Sequence, residues 1–231
     1  MNPWTVPRLH LITDPVVCPF EQLCEWLPRL LQAGVDAVHL RAPGVAAGEL
    51  LKVAAELRRL IVPPAVLLVN DRLDLALLCQ ADGVHLPEQG LPVWAARELL
   101  GRGRVVGRSV HSVEAARAAA AEGCDYLLYG NVYETASKPG AAARGLDALR
   151  AVVHATHVPI VAIGGITPDR VPAVVRMGAH GVAVIRGILA ADDPVAAVRA
   201  YRRAMDEVRG DGNSCDLKRE TGRAGRSADH R

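Results

Sequence analysis

VPIVAIGGITPDRVPAVVRMGAHGVAVIRGIL, residues 158–189, holds two copies of one structural unit. Pro159–Ile163 and Gly181–Ile185 are short, continuously apolar and rich in β-branched residues. Such runs suit parallel strands buried on both faces. Between them, Thr167-Pro168-Asp169 offers an N-cap, a proline at the first helical position and an acid in the first turn. A helix is therefore expected over Pro168–Met177, with Gly178 as its stop.

The same alternation runs outward through the chain. Apolar runs recur at Leu9–Thr13, Val35–Arg41, Ala65–Asn70, Gly83–Leu86, Arg104–Ser109 and Tyr126–Tyr129. Helical patterns follow at Phe20–Ala33, Ala47–Ile61, Arg72–Cys79, Pro92–Leu100, Val113–Glu122, Leu146–His154 and Pro194–Val208. Eight strands alternating with eight helices is the count of a (β/α)8 TIM barrel. A doubly wound open sheet lacks its early GxGxxG here. AGVDAVHL, AEGCDYLL and MGAHGVAV repeat one junction from helix end to strand start. The barrel is expected over residues 1–209. Residues 210–231, poor in large apolar side chains, are expected to be a disordered tail.

Composition excludes several classes. Half of the 231 residues are hydrophobic, enough for a large core. A net charge of +2 gives no field for nucleic acid or membrane, and 3% aromatics leaves little for base stacking. No apolar run reaches the roughly 18 residues of a membrane span, and no secretory leader pattern opens the chain. Cys18, Cys24, Cys79, Cys124 and Cys215 are odd in number without a CxxC pair. They read as reduced packing thiols of a cytoplasmic protein. An assembly of identical copies is left open.

Barrels of this type bind ligands at the C-terminal ends of their strands. Those ends carry Thr13 and Asp14, His39 and Arg41, Asn70 and Asp71, His85, Ser109 and His111, Asn131, Gly164 and Gly165, and Ile185 and Arg186. Two glycines after strand seven let backbone approach a ligand closely. With the short helix start Arg186-Gly187-Ile188 they form an expected phosphate nest. The bland alternative is a tight turn. Arg41 suits a phosphate or carboxylate, or else a neighbouring acid. Asp71 reads equally as a metal ligand or a helix cap. His39, His85 and His111 read as proton carriers or as satisfied structural residues.

Four ordered stretches resemble one family: VNDRLDLAL…ADGVHLP (69–87), GRSVHSVEAA (107–116), GNVYETASKPG (130–140) and residues 158–189. They are similar to the thiamine phosphate synthase/TenI superfamily over roughly residues 8–200. The resemblance implies a (β/α)8 barrel, a phosphorylated thiazole ligand and one of two activities. The synthase joins a pyrimidine diphosphate to a thiazole phosphate with Mg²⁺; the TenI-type tautomerase moves a proton without metal.

Against the synthase pattern, His39 stands for a glutamine, Pro43 for a lysine and Gly90 for a metal aspartate, while Asp71 and Lys138 match. His39, GRSVHS and Gly130-Asn131-Val132-Tyr133-Glu134-Thr135 resemble the TenI side, except that Asn131 replaces its proton-shuttling histidine. The expectation is accordingly a TenI-like isomerase of thiamine biosynthesis, with no cofactor or metal. His39, Asn131 and Glu134 would form its catalytic group. Arg41, Asn70, Ser109, Lys138, Gly164, Gly165, Ile185 and Arg186 would bind substrate. The alternatives are the synthase, with Mg²⁺ on Asp71 and Glu88, or a non-catalytic thiazole phosphate binder or regulator.

Overall fold

In the computed structural model, which describes residues 5–137 and 140–220, with side chains to 208, eight parallel strands close into a barrel in sequence order. They are β1 (Leu9–Ile12), β2 (Ala37–Leu40), β3 (Val66–Asn70), β4 (Gly83–Leu86), β5 (Val105–Val110), β6 (Tyr126–Gly130), β7 (Ile160–Ile163) and β8 (Gly181–Val184). Helices α1 (Phe20–Ala33), α2 (Ala47–Leu60), α3 (Leu73–Leu78), α4 (Val93–Leu100), α5 (Val113–Ala121) and α6 (Gly145–Ala155) follow the first six strands. The pattern over Pro168–Met177 splits into a 3-10 turn (Pro168–Arg170) and α7 (Val171–Arg176). After β8 come the short α8 (Arg186–Leu189) and then α9 (Pro194–Glu220). As described, α9 overlaps the expected tail; residues 221–231 of that tail lie outside the described residues.

The recurrent helix-to-strand junction has a physical reason. Asp36, Asp82 and Asp125 each turn a carboxylate back onto a neighbouring strand. Asp36 accepts from the amides of Arg8 and Leu9 at 3.0 Å, Asp82 from Leu67 at 2.7 Å, and Asp125 from Val106 at 2.7 Å. Arginines close the same carboxylates from outside: Arg202 on Asp36, Arg58 on Asp82 and Arg97 on Asp125. At these three junctions, backbone donors that a barrel bottom would leave open are satisfied by the aspartate.

Alternate residues of each strand point inward. One core cluster packs between strands and helices; a second fills the barrel itself, with Ile12, Val66, Leu68, Val105, Tyr126, Leu128 and Val161. Branched aliphatic residues usually dominate such an interior. Here the inward positions also include His10, His39 and His85, each at most 1% exposed. Gly107 makes room for this group: a Cβ there would lie 2.1 Å from the Tyr126 ring.

Gly107→Ala is expected to destabilise the fold by about 1–3 kcal/mol, because the buried ring has to move. Urea unfolding measures it. An unchanged midpoint would mean that the interior yields freely around Tyr126.

Candidate functional site

A cavity of about 520 Å³ opens at the C-terminal ends of the strands. It is in the size range of small-molecule sites. Of the expected site residues, Arg41, Asn70, Glu88, Ser109, Asn131, Glu134, Gly164, Gly165, Ile185 and Arg186 line it. His39 does not. Lys138 lies outside the described residues.

The β7 and β8 side presents open backbone amides to the cavity. Gly164 and Gly165 take left-handed φ angles of 99° and 61°. None of the backbone amides of Gly164, Gly165, Arg186 and Gly187 donates to a protein acceptor among the described residues. All four residues line the cavity. Such open amides at converging loop ends form an anion nest. The glycines are also required by packing: a Cβ on Gly165 would lie 2.2 Å from the Glu134 carbonyl oxygen, and one on Gly164 2.4 Å from Asn131 Cβ. Close approach of the β6 loop, and not of a ligand alone, therefore demands glycine there. That corrects the simpler sequence-based reason.

Arg41 and Arg186 are exposed on the cavity wall, and neither guanidinium has a protein partner among the described residues. The neighbouring acid that could have explained Arg41 is not found there. Arg170 is committed differently: it donates to the Gly165 carbonyl at 2.7 Å and stacks 4.6 Å from the Tyr133 ring.

The expected catalytic group separates. Asn131 spends its amide on the loop, donating to the carbonyls of Tyr133, Ala141 and Ala142 at 3.2–3.4 Å. It shapes the wall and cannot exchange a proton. His39 is fully buried under the cavity, with its Nδ1 3.3 Å from Asn70 Oδ1 and its Nε2 2.9 Å from His10 Nδ1. Its expected direct approach to substrate gives way to a supporting position, because β2 turns residue 39 into the barrel one layer below the rim. Glu134 remains at the cavity. His85 bridges Tyr126 (2.9 Å) and Ser109 (2.8 Å). The role of His10 escaped the sequence reading. Its position on β1, inward and two residues before Ile12, was the available signal.

The acids of a metal site are not assembled. Glu88 accepts from the His111 amide (2.9 Å) and Nδ1 (2.7 Å). Asp71 has φ 61° and is not the cap of α3, whose cap residue is Arg72. A Cβ on Gly90 would sit 3.1 Å from Asp71 Oδ1, so an acid at position 90 would stand beside Asp71, and glycine supplies none. No group of three His, Cys, Asp or Glu suited to a metal ion occurs among the described residues. The residues present do not fit a protein-held Mg²⁺.

Comparison with known proteins is consistent with this architecture. The family profile described as thiamine monophosphate synthase matches residues 9–188. A thiamine-phosphate synthase of Natronomonas pharaonis is 46% identical over 206 residues, covering 87% of this chain and 95% of that protein. A putative thiamine-phosphate synthase of Geobacter sulfurreducens is 43% identical over 194 residues, covering 83% and 91%. The solved thiamine phosphate pyrophosphorylase from Pyrococcus furiosus superposes with a TM-score of 0.79 at 34% identity, covering 87% and 96%. These relatives carry the synthase name, not the TenI name that the sequence motifs suggested.

Burial holds the interior imidazoles neutral. It lowers His10 to about 4, His85 to about 3 and His39 well below the usual histidine value. Unfolded, each titrates near 6.5, so below that pH the unfolded chain binds more protons. Stability present above pH 6.5 is therefore lost as pH falls toward 4. Urea unfolding at pH 7 and pH 5 is expected to differ by roughly 2 kcal/mol per buried histidine. Equal stability at both would mean that these rings are charged in the fold.

Proposed function

Since this chain belongs to the thiamine monophosphate synthase family, we propose that it is a transferase of thiamine biosynthesis. It joins a pyrimidine diphosphate to a thiazole phosphate, the coupling that the resemblance to the synthase implies. One observation supports a phosphorylated ligand: four open amides at the ends of β7 and β8 line a cavity that also carries Arg41 and Arg186. The thiazole phosphate sits with its phosphate on those amides. The two guanidiniums face the remaining negative charge, where forked hydrogen bonds to phosphate oxygens are strongest. Ser109 and Asn70 contact the ring region from β5 and β3. The coupling forms a carbon–nitrogen bond and releases diphosphate.

A second reading is favoured by that same misfit. With Gly90 in place of a carboxylate and Glu88 engaged by His111, the cavity also suits a proton transfer on a bound carboxythiazole phosphate, with Glu134 as the cavity-lining acid or base.

Incubation with both synthase substrates and chromatography of the products separates the readings. Thiamine phosphate is expected, and Arg41→Ala is expected to slow its formation by at least about tenfold, the loss of one charge-assisted contact. Isomerisation of the carboxythiazole phosphate without any coupling would overturn the transferase reading in favour of the second.

The place beside Asp71 gives an independent test. Gly90→Asp is expected to create Mg²⁺ binding that calorimetry detects in the variant and finds weaker in the natural protein. The substitution has to displace the Pro87 ring, 2.8 Å from the new Cβ. Equal Mg²⁺ affinity in both would show that position 90 is not where the second acid belongs.

A further inference from the structure

Inside the barrel, three hydrogen-bonding side chains form a line that starts at a backbone carbonyl and ends at the cavity. His10 Nε2 lies 2.9 Å from the Pro7 carbonyl oxygen. His10 Nδ1 lies 2.9 Å from His39 Nε2. His39 Nδ1 lies 3.3 Å from the side-chain amide of Asn70, which lines the cavity. The line allows only one placement of its protons once both rings are neutral.

A carbonyl oxygen can only accept, so the Pro7 carbonyl fixes a proton on His10 Nε2. Neutral His10 then carries a lone pair on Nδ1. His39 must answer it with a proton on Nε2, which leaves a lone pair on His39 Nδ1. The next group along must therefore be a donor. The atom placed opposite is Asn70 Oδ1, and an oxygen facing a nitrogen lone pair makes no hydrogen bond. An amide's oxygen and nitrogen are distinguished by such bonding logic alone. Turning the amide puts Nδ2 against His39 and completes the line.

From this we infer that His10 and His39 are positioning residues that set Asn70 with its Oδ1 toward the cavity, as a hydrogen-bond acceptor for a donor-bearing ligand group. Asn70's side chain has no second protein partner among the described residues, so that oxygen is the atom left for a ligand. The rings are deep in the barrel, where burial keeps both neutral. The alternative arrangement needs an imidazolium with no carboxylate among its hydrogen-bond partners. An acceptor at this wall repels phosphate and carboxylate oxygens and welcomes an N–H or O–H. Resting on the transferase reading, the group that fits is the exocyclic amine of an aminopyrimidine.

Two measurements test this. The first needs no ligand: multiple-bond ¹⁵N–¹H NMR of ¹⁵N-histidine protein, assigned with His10→Gln and His39→Gln. His10 and His39 are expected as neutral Nε2–H tautomers from pH 8 to pH 6. A proton on His39 Nδ1 in that range would overturn the orientation of Asn70. The second compares calorimetric affinities for an aminopyrimidine monophosphate and for the same compound with hydrogen in place of the amine. A preference of about 3- to 10-fold for the amine is expected, the worth of one neutral hydrogen bond. His39→Phe, folded by circular dichroism, is expected to erase the preference; a merely structural role would weaken both compounds equally. An analogue with a carbonyl in place of the amine binding better than the amine would overturn the inference. Binding of neither pyrimidine, with the tautomers as expected, would overturn the pyrimidine as ligand and the transferase reading with it, and not the proton order of the line.

Discussion

The barrel interior has to bury imidazoles without charging them. His10, His39 and His85, with Tyr126, occupy inward positions where aliphatic residues usually sit, and an unpaired polar group there costs on the order of 1–3 kcal/mol. Each ring is therefore bonded at both nitrogens: His10 between Pro7 and His39, His39 between His10 and Asn70, His85 between Tyr126 and Ser109. The two lines end at Asn70 and Ser109, both on the cavity wall. Packing and chemistry meet there, because satisfying the interior decides how two wall residues present themselves to a ligand.

The opposite wall is set by backbone. The β6 loop is held by Asn131 and pressed against Gly164 and Gly165, and the left-handed turn this requires leaves amides open beside Arg186 and Gly187. The β7 and β8 side of the cavity thus offers open amides beside Arg186, while the β2 to β5 side carries Arg41 and Glu88 together with Asn70 and Ser109, whose presentation the interior sets.

Much of this was readable in the sequence. Continuous apolar runs and glycine stops located all eight strands, because parallel strands buried on both faces leave an unambiguous signal. The paired glycines at 164–165 and the arginines at 41 and 186 stood out as ligand-facing positions, and all four line the cavity. The residues that sequence misjudged are those whose meaning depends on which face of a strand they occupy. His39 reads as a rim residue, yet its inward direction and its depth put it under the rim. Glu88 reads as a displaced metal ligand, yet its carboxylate is taken by His111 from the next strand's loop. His10 carried no motif, and only the register His10↔Ala37 with Ile12↔His39 shows that it stands one layer below His39. Motif likeness pointed to TenI, whereas the relatives at 43–46% identity carry the name thiamine-phosphate synthase, one of them as putative. The departures at 39, 43 and 90 are local, and overall identity does not register them.

The place where a phosphorylated thiazole settles decides which wall of the cavity holds its phosphate. A crystal structure of the protein grown with thiazole phosphate tests that directly. The phosphate is expected within hydrogen-bond reach of the amides of Gly164, Gly165, Arg186 and Gly187, with the ring toward Asn70 and Ser109. A phosphate bound at the Asn70 side, or outside the cavity, would contradict the account.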